Sequence, residues 1–236
     1  MLDELDQELA RRGHRFVRYA DDENIYVRSE RAGHRVMASV VRFIETQLRL
    51  KVNQAKSAVA RPEERHFVGF SLRRNPEDGT VEVFLSKRSK DRIDAKIREL
   101  TPRAWGQSLS DCIAALNAYL RGWLNFFGTS CTEAAVRMFQ TLDAHIRRRL
   151  RALLLRQWKR KRFIVRRLIR MGARATTAWR TVYGGHKSLW ALSHCSPVDH
   201  ALNNAYFAKR GLFSLERHYR ELHHVIAPAQ LHLPLA

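Results

Sequence analysis

The sequence predicts an α+β chain in which strands are confined to the first 87 residues and the remainder is helical. Three observations carry this. Short alternating apolar–polar runs, bounded by turn-forming residues, occur before Lys87 and stop there. Beyond it, apolar side chains recur at steps of three and four, the period of a helix. The chain of 236 residues also carries a formal net charge of +20. Its basic residues are interleaved with Leu, Ile, Phe and Trp at helical spacing, so they belong to folded helices whose partner is a polyanion, not to a histone-like tail.

Taken in order, Met1–Arg12 reads as a short helix on Leu2, Leu5 and Leu9, ended by Gly13. Arg15–Tyr19 and Asn24–Arg28 read as two strands joined by a tight link that holds Asp21 and Asp22. Gly33–Leu48 returns to helix, with Val36, Val40, Phe43, Ile44 and Leu48 on one face. Two extended pieces follow, Lys51–Val52 and Ser57–Ala60. A second hairpin runs from His66–Leu72 to Thr80–Leu85 around the turn residues Asn75–Gly79.

The helical part opens with Ser89–Leu100, a basic amphipathic helix ended by Thr101-Pro102. Ser108 and Asp111 have capping-box spacing. Behind them Ile113, Leu116, Leu120, Trp123 and Phe127 form one apolar seam, closed by Gly128. A third helix runs from about Thr132 through Ile146, Leu150, Leu154 and Trp158. It continues, or breaks and restarts, through Ile164 and Leu168 to Gly172. Thr176–Leu192 holds Trp179, Trp190 and a Gly184-Gly185 turn. Asp199–Phe207 and Leu215–His224 read as short helices, and Ala227–Ala236 as a loose or packed tail. The expected domains are 1–87, 88–172 and 173–236.

Cys112, Cys131 and Cys195 are far apart, with no C-x-x-C, which argues against a zinc ribbon and a disulfide framework and for a reduced, cytoplasmic protein. His186, His194, Cys195 and His200 cluster loosely without a common zinc spacing. No apolar run is long enough to span a bilayer, and the acidic start is wrong for a secretory signal, so no membrane partner is expected.

Tyr19-Ala20-Asp21-Asp22 is the sharpest chemical signal. An isolated Asp-Asp pair is most often a polar turn. Two carboxylates at a hairpin tip, however, repel each other unless a cation joins them, and hard oxygen ligands suit Mg²⁺. The surroundings favour the second reading. Phe16-Val17-Arg18-Tyr19-Ala20-Asp21-Asp22 resembles the active-site hairpin of reverse transcriptases, and Glu23-Asn24-Ile25-Tyr26-Val27 resembles the group II intron branch. Lys51–Ser57 and His66–Phe70 resemble the next two palm motifs, and Ala118–Phe127 resembles the maturase, or thumb, domain of that family.

This resemblance to group II intron reverse transcriptase/maturases implies a partial reverse-transcriptase palm followed by an all-helical thumb/maturase domain. Asp21 and Asp22 would be the catalytic, Mg²⁺-binding pair. Tyr19 and Ala20 would lie beside the primer terminus. Lys56 would approach the triphosphate or protonate the leaving group, or is merely a surface lysine after a strand. Gly69 would let the backbone turn close to the primer, or is a bulge in a strand. The implied partners are intron RNA and target DNA. Family members carry fingers and a further catalytic aspartate before this hairpin, whereas eighteen residues precede Tyr19 here. The expectation is therefore a polymerase that is inactive alone and needs a missing N-terminal half. The rival readings are a non-catalytic RNA-binding maturase module and an inactive gene fragment.

Between Asp143 and Asp199 there is no acidic residue. Unmixed positive charge repels itself and calls for phosphate. The candidate nucleic-acid contacts there are Arg147, Arg148, Arg151, Lys159, Arg160, Arg162, Arg166 and Arg167. Arg88, Lys90, Arg92 and Lys96 join them on the first thumb helix. Trp158, Trp179, Tyr183 and Trp190 lie among the cations, either as core or as stacking platforms for unpaired bases.

Overall fold

The computed structural model describes residues 2–76, 79–102, 106, 108–129, 133–185 and 187–226. They form two compact units, Met1–Ser86 and Lys87–Ala236.

The first unit begins with helix α1 (Leu2–Arg11), which buries Leu5 and Leu9 one turn apart. Gly13, at φ +72°, ends it in the left-handed conformation that a helix C-terminus favours. Strands β1 (Arg15–Tyr19) and β2 (Asp22–Tyr26) then pair antiparallel, with Phe16 opposite Ile25 and Tyr19 opposite Asp22. Helix α2 (Glu30–Thr46) starts at Ser29, whose hydroxyl accepts from the Ala32 N–H at 3.3 Å. Leu5, Leu9, Val40 and Leu48 form the core, with Phe16, Ile25, Val36, Phe43 and Ile44 packed against it. Gly33 lies on the buried side of α2, and a Cβ there would stand 2.6 Å from the Val59 side chain. The glycine is needed for that close approach.

Two sequence expectations change here. Lys51–Val52 and Ser57–Ala60 form no strand. Asn53 instead closes a local turn, its carbonyl accepting from the Ser57 hydroxyl at 3.0 Å and its side chain from the Lys56 N–H at 3.3 Å. The run His66–Leu72 is also not one strand. It divides into β3 (His66–Phe67) and β4 (Phe70–Arg74), which pair with each other across Val68-Gly69. Both loop residues have positive φ, +51° and +84°, as a type I′ turn requires. Strand β5 (Val81–Leu85) completes the sheet in the order β3-β4-β5. The predicted turn closes with the Asn75 N–H donating to Thr80 O at 2.8 Å. Its residues Glu77 and Asp78 lie outside the described residues.

The second unit is helical. Helix α3 (Lys87–Leu100) buries Ser89, Ile93 and Ile97. Helix α4 (Leu109–Phe127) has the capping box read from Ser108 and Asp111, and buries Ile113, Leu116, Leu120, Trp123 and Leu124. Helix α5 (Glu133–Gln157) and helix α6 (Lys161–Arg170) are separated by a break at Lys159, which has φ +56°. The predicted start at Thr132, and also Cys131 and His186, lie outside the described residues. Then come α7 (Ala175–Tyr183), α8 (Leu189–Leu192), α9 (Ser196–Ala201), α10 (Asn204–Ala208) and α11 (Leu215–Ile226). The tail Ala227–Ala236 is outside the described residues.

Polar ties draw these later helices back onto the earlier ones. The buried Asp143 of α5 accepts from the Ser214 hydroxyl (2.7 Å) and the Leu215 and Glu216 N–H groups (3.0 and 3.2 Å), capping α11. Asn117 of α4 donates to Gly211 O (2.6 Å) and accepts from the Phe213 N–H (2.8 Å). Packing thus runs across residue 172, where the sequence suggested a division. No described helix is long and apolar enough to cross a membrane.

Candidate active-site hairpin and nucleic-acid interface

The β1–β2 hairpin turns over two residues, Ala20 and Asp21. Ala20 has φ +55°. Positive φ at the first loop position and not the second is the type II′ pattern, which suits glycine and strains alanine. The turn is braced by Arg18. Its guanidinium donates to Ala20 O at 3.0 Å and makes a two-pronged pair with Asp6 of α1, one arm at 2.8 Å. That bond holds the Asp6 carboxyl below its usual range. Arg18 faces Glu23 across the ladder. Burial, and then the charge of Asp6, raise the Glu23 carboxyl above its usual range, and its Oε1 is buried without a hydrogen-bond partner.

The two strand faces therefore differ. Phe16, Arg18, Glu23 and Ile25 turn towards the helices. Val17, Tyr19 and Tyr26 are exposed at 39, 57 and 42 %. Asp21 and Asp22 are both exposed at the tip, so their carboxylates are open to a cation or to substrate. Among the described residues, no group of three or more His, Cys, Asp or Glu side chains is arranged to hold a metal. The pair supplies hard oxygen donors but not a complete ligand set.

Lys56 sits in the exposed turn closed by Asn53. Gly69 occupies the turn between β3 and β4, and its carbonyl accepts from the Ser86 N–H at 2.9 Å. Neither arrangement joins these residues to the acidic turn.

The second unit sorts the basic candidates by surroundings. Arg88, Lys90 and Arg92 are exposed on α3, whereas Lys96 is engaged by Glu99 at 2.6 Å. Lys159, Arg160, Arg162, Arg166 and Arg167 are exposed at and after the α5–α6 break. Arg147 and Arg148 are half-buried, and Arg148 lies 4.2 Å from the Trp190 ring centroid. Arg151 requires a correction. It is 5 % exposed, pairs with Asp199 and donates to Leu202 O at 2.8 Å. Its charge ties α5 to the α9 region and is not presented to a phosphate.

An open groove of about 990 Å³ lies beside these cations, lined by Trp158, Arg167, Arg170, Tyr206, Lys209 and Arg210 among others. Arg167 stands over Trp158 (5.3 Å) and Arg210 over Tyr206 (3.5 Å). Sequence reasoning missed this groove, because its two walls are some forty residues apart in the chain. It also missed the Arg18–Asp6 brace. The only signal for that was a basic residue three positions before Asp21, and its helical partner is set by tertiary packing.

The reverse transcriptase (RNA-dependent DNA polymerase) family model matches residues 1–72. The group II intron, maturase-specific domain model matches residues 90–172. No curated protein matches the chain.

Proposed function

Because the chain belongs to the group II intron reverse transcriptase/maturase family, we propose that its second unit binds intron RNA and favours the folded, splicing-active form. The observation that carries this is the acid-free stretch between Asp143 and Asp199. It folds into helices that keep Lys159, Arg160, Arg162, Arg166 and Arg167 at the surface. Cations so placed neutralise phosphates and release their counterions. RNA bound more tightly in its folded state than in its unfolded ones is drawn towards that state. Arg88, Lys90 and Arg92 extend the same chemistry onto α3. Target DNA is a second polyanion for the same surface. The proposed setting is the cytoplasm.

The first unit favours a second activity, RNA-directed DNA synthesis, through the preformed turn that presents Asp21 and Asp22. Mg²⁺ bound there would activate the primer 3′-hydroxyl and stabilise the leaving pyrophosphate. Arg18 holds the turn in shape while its own charge is met by Asp6. Asp21 and Asp22 supply only part of the oxygen shell that Mg²⁺ takes, and the 236-residue polypeptide by itself is not expected to extend a primer. Mg²⁺-dependent extension that disappears in Asp21→Ala would show that expectation to be wrong.

RNA binding is tested by competition. A labelled intron-like RNA is challenged with unlabelled copies of itself and with an unrelated structured RNA, over a salt series. A preference of about tenfold, equivalent to about 1.4 kcal/mol, at moderate salt supports the maturase reading. Equal competition reduces the basic surface to a non-specific anchor.

A further inference from the structure

Helix α7 carries an aromatic pair that neither the core nor the hairpin uses. Trp179 and Tyr183 are one turn apart, stacked at 5.1 Å between ring centroids with 26° between planes. They are 43 and 48 % exposed. The adjoining face of α7 anchors it, since Ala178 and Val182, one position before each ring, are fully buried. The helix is therefore held on one face while its rings are exposed on the next. The other described tryptophans have structural surroundings: Trp123 and Trp158 are buried, and Trp190 is half-buried beneath Arg148.

The surroundings of the pair are cationic. Lys161 of α6 lies 5.6 Å from the Tyr183 ring centroid. Arg162, Arg174, Arg180 and Lys187 are exposed nearby in sequence, within the stretch that has no acid. An occupant of this shelf needs flat, polarisable faces for the rings and negative charge for the rim. An acidic protein surface meets the second need without the first. A duplex presents phosphates but keeps its base faces stacked inside. An unpaired strand presents both.

We propose that Trp179 and Tyr183 form a stacking shelf for unpaired bases of a single-stranded nucleic acid, with Lys161 and the neighbouring cations holding its phosphates. The shelf lies beyond residue 172, outside the stretches that the two family models match. It deepens the nucleic-acid-binding reading above and rests on it. Any base has a π face, so the shelf selects single strands over duplexes and not one sequence over another.

The test uses the full chain and three labelled probes: oligouridine RNA, oligothymidine DNA, and a blunt-ended RNA duplex with no loop or overhang. Affinities are read by anisotropy across a salt series. One stacked base is worth about 1–3 kcal/mol, so the double variant Trp179→Ala/Tyr183→Ala should lose about fivefold or more on a single strand. Duplex affinity and salt slope should stay unchanged. Trp179→Phe/Tyr183→Phe keeps two stacking rings and should restore single-strand binding. Loss on both RNA and DNA supports a shelf indifferent to the sugar; loss on one alone supports it and identifies its strand.

Parental single-strand affinity in the double alanine variant would overturn the proposal and leave the basic surface as the binding site. An equal loss on the duplex would overturn it too. So would unchanged nucleic-acid binding with lost binding to phosphatidylglycerol vesicles, which would assign the rings to a lipid surface. If the parent chain binds none of the three probes, the broader nucleic-acid reading fails with it.

Discussion

The two units solve the problem of holding functional side chains in opposite ways. In the first, the geometry is local. The acidic turn is fixed by a two-residue loop, a ladder of five residue pairs and one arginine brace. Its described buried apolar side chains are Leu5, Leu9, Val40, Leu48 and Leu85, and one face of its two-stranded sheet is open. A two-stranded sheet has little stability of its own. In the second unit the geometry is distributed. Fully buried side chains such as Ile93, Leu120, Phe139, Ile146, Leu150 and Phe207 come from helices far apart in sequence, and Asp143 and Asn117 tie them by hydrogen bonds. The polymerase-like unit thus keeps a precise turn on a thin support. The maturase unit keeps a broad charged surface on a deep one, and a deep core lets many cations stand close together without the fold giving way.

The largest effect should come from the deep core. Phe139 is fully buried, its ring 4.7 Å from Tyr219 and 6.1 Å from Trp123. Phe139→Ala should cost about 3–5 kcal/mol. All five tryptophans lie after residue 87, so their fluorescence reports the second unit alone. The denaturation midpoint seen by tryptophan should fall steeply, while protease resistance of the hairpin segment stays as in the parent. If both change together, the units unfold as one and the contrast is lost.

Asp143→Ala comes next. It removes the acceptor for three donors at the start of α11, two of them backbone N–H groups. The expected loss is about 2–3 kcal/mol, because a charge-assisted cap is replaced by unmet polar groups. Hydrogen exchange should quicken first in α11. Protection that is lost evenly over α3–α10 instead would mean that the tie is not local to α11.

How far each unit was legible follows from the same contrast. The hairpin was legible because its strands and its acidic pair lie within twelve residues, although β2 starts at Asp22, two residues before the strand that the sequence suggested, so the loop is shorter and the register differs. So was the capping box at Ser108, a three-residue signal. Most helix ends were read to within two or three residues, but the expected helix Asp199–Phe207 is two, α9 and α10, broken where Asn203 caps the second. The local signals failed where chemistry depends on partners far away. Lys51–Val52 and Ser57–Ala60 had extended composition but no strand to pair with. His66–Leu72 hid a turn, because Val68 takes a left-handed conformation that a β-branched residue rarely adopts. Arg151 read as a phosphate contact, because nothing near it in sequence announces Asp199. The exposed Trp179 and the buried Trp158 look alike in the sequence, since both sit among arginines. Only the packing of Ala178 and Val182 on the adjoining face of α7 separates them.

Smaller changes probe the thin unit. Ala20 holds a positive φ that costs a residue with a Cβ about 1–2 kcal/mol. Ala20→Gly should therefore stabilise the hairpin by about 1 kcal/mol, less the entropy that glycine gains in the unfolded chain. Slower hydrogen exchange in β1 and β2, with an unchanged tryptophan transition, is the expected result. Faster exchange would mean that the Ala20 methyl makes a contact worth more than the strain.

The smallest effect should be the acid response of α1. The Glu8 carboxyl accepts from Arg11 (2.8 and 2.7 Å) and Arg12 (2.6 Å), and these three bonds pull it down to about 2. A carboxyl with a depressed folded pKa adds stability above its unfolded value, here 4.5, and that contribution is lost as pH falls towards about 2. The pairs are solvent-exposed, so the gain is small and is screened by salt. Glu8→Gln should weaken the first unit slightly at pH 6, and the difference should shrink below pH 4.5 and vanish as pH falls through about 2. The carboxyl carbon of Glu8, followed by NMR, should titrate with a midpoint near the depressed value. A midpoint near 4.5 would show that the two arginines leave Glu8 for water in solution.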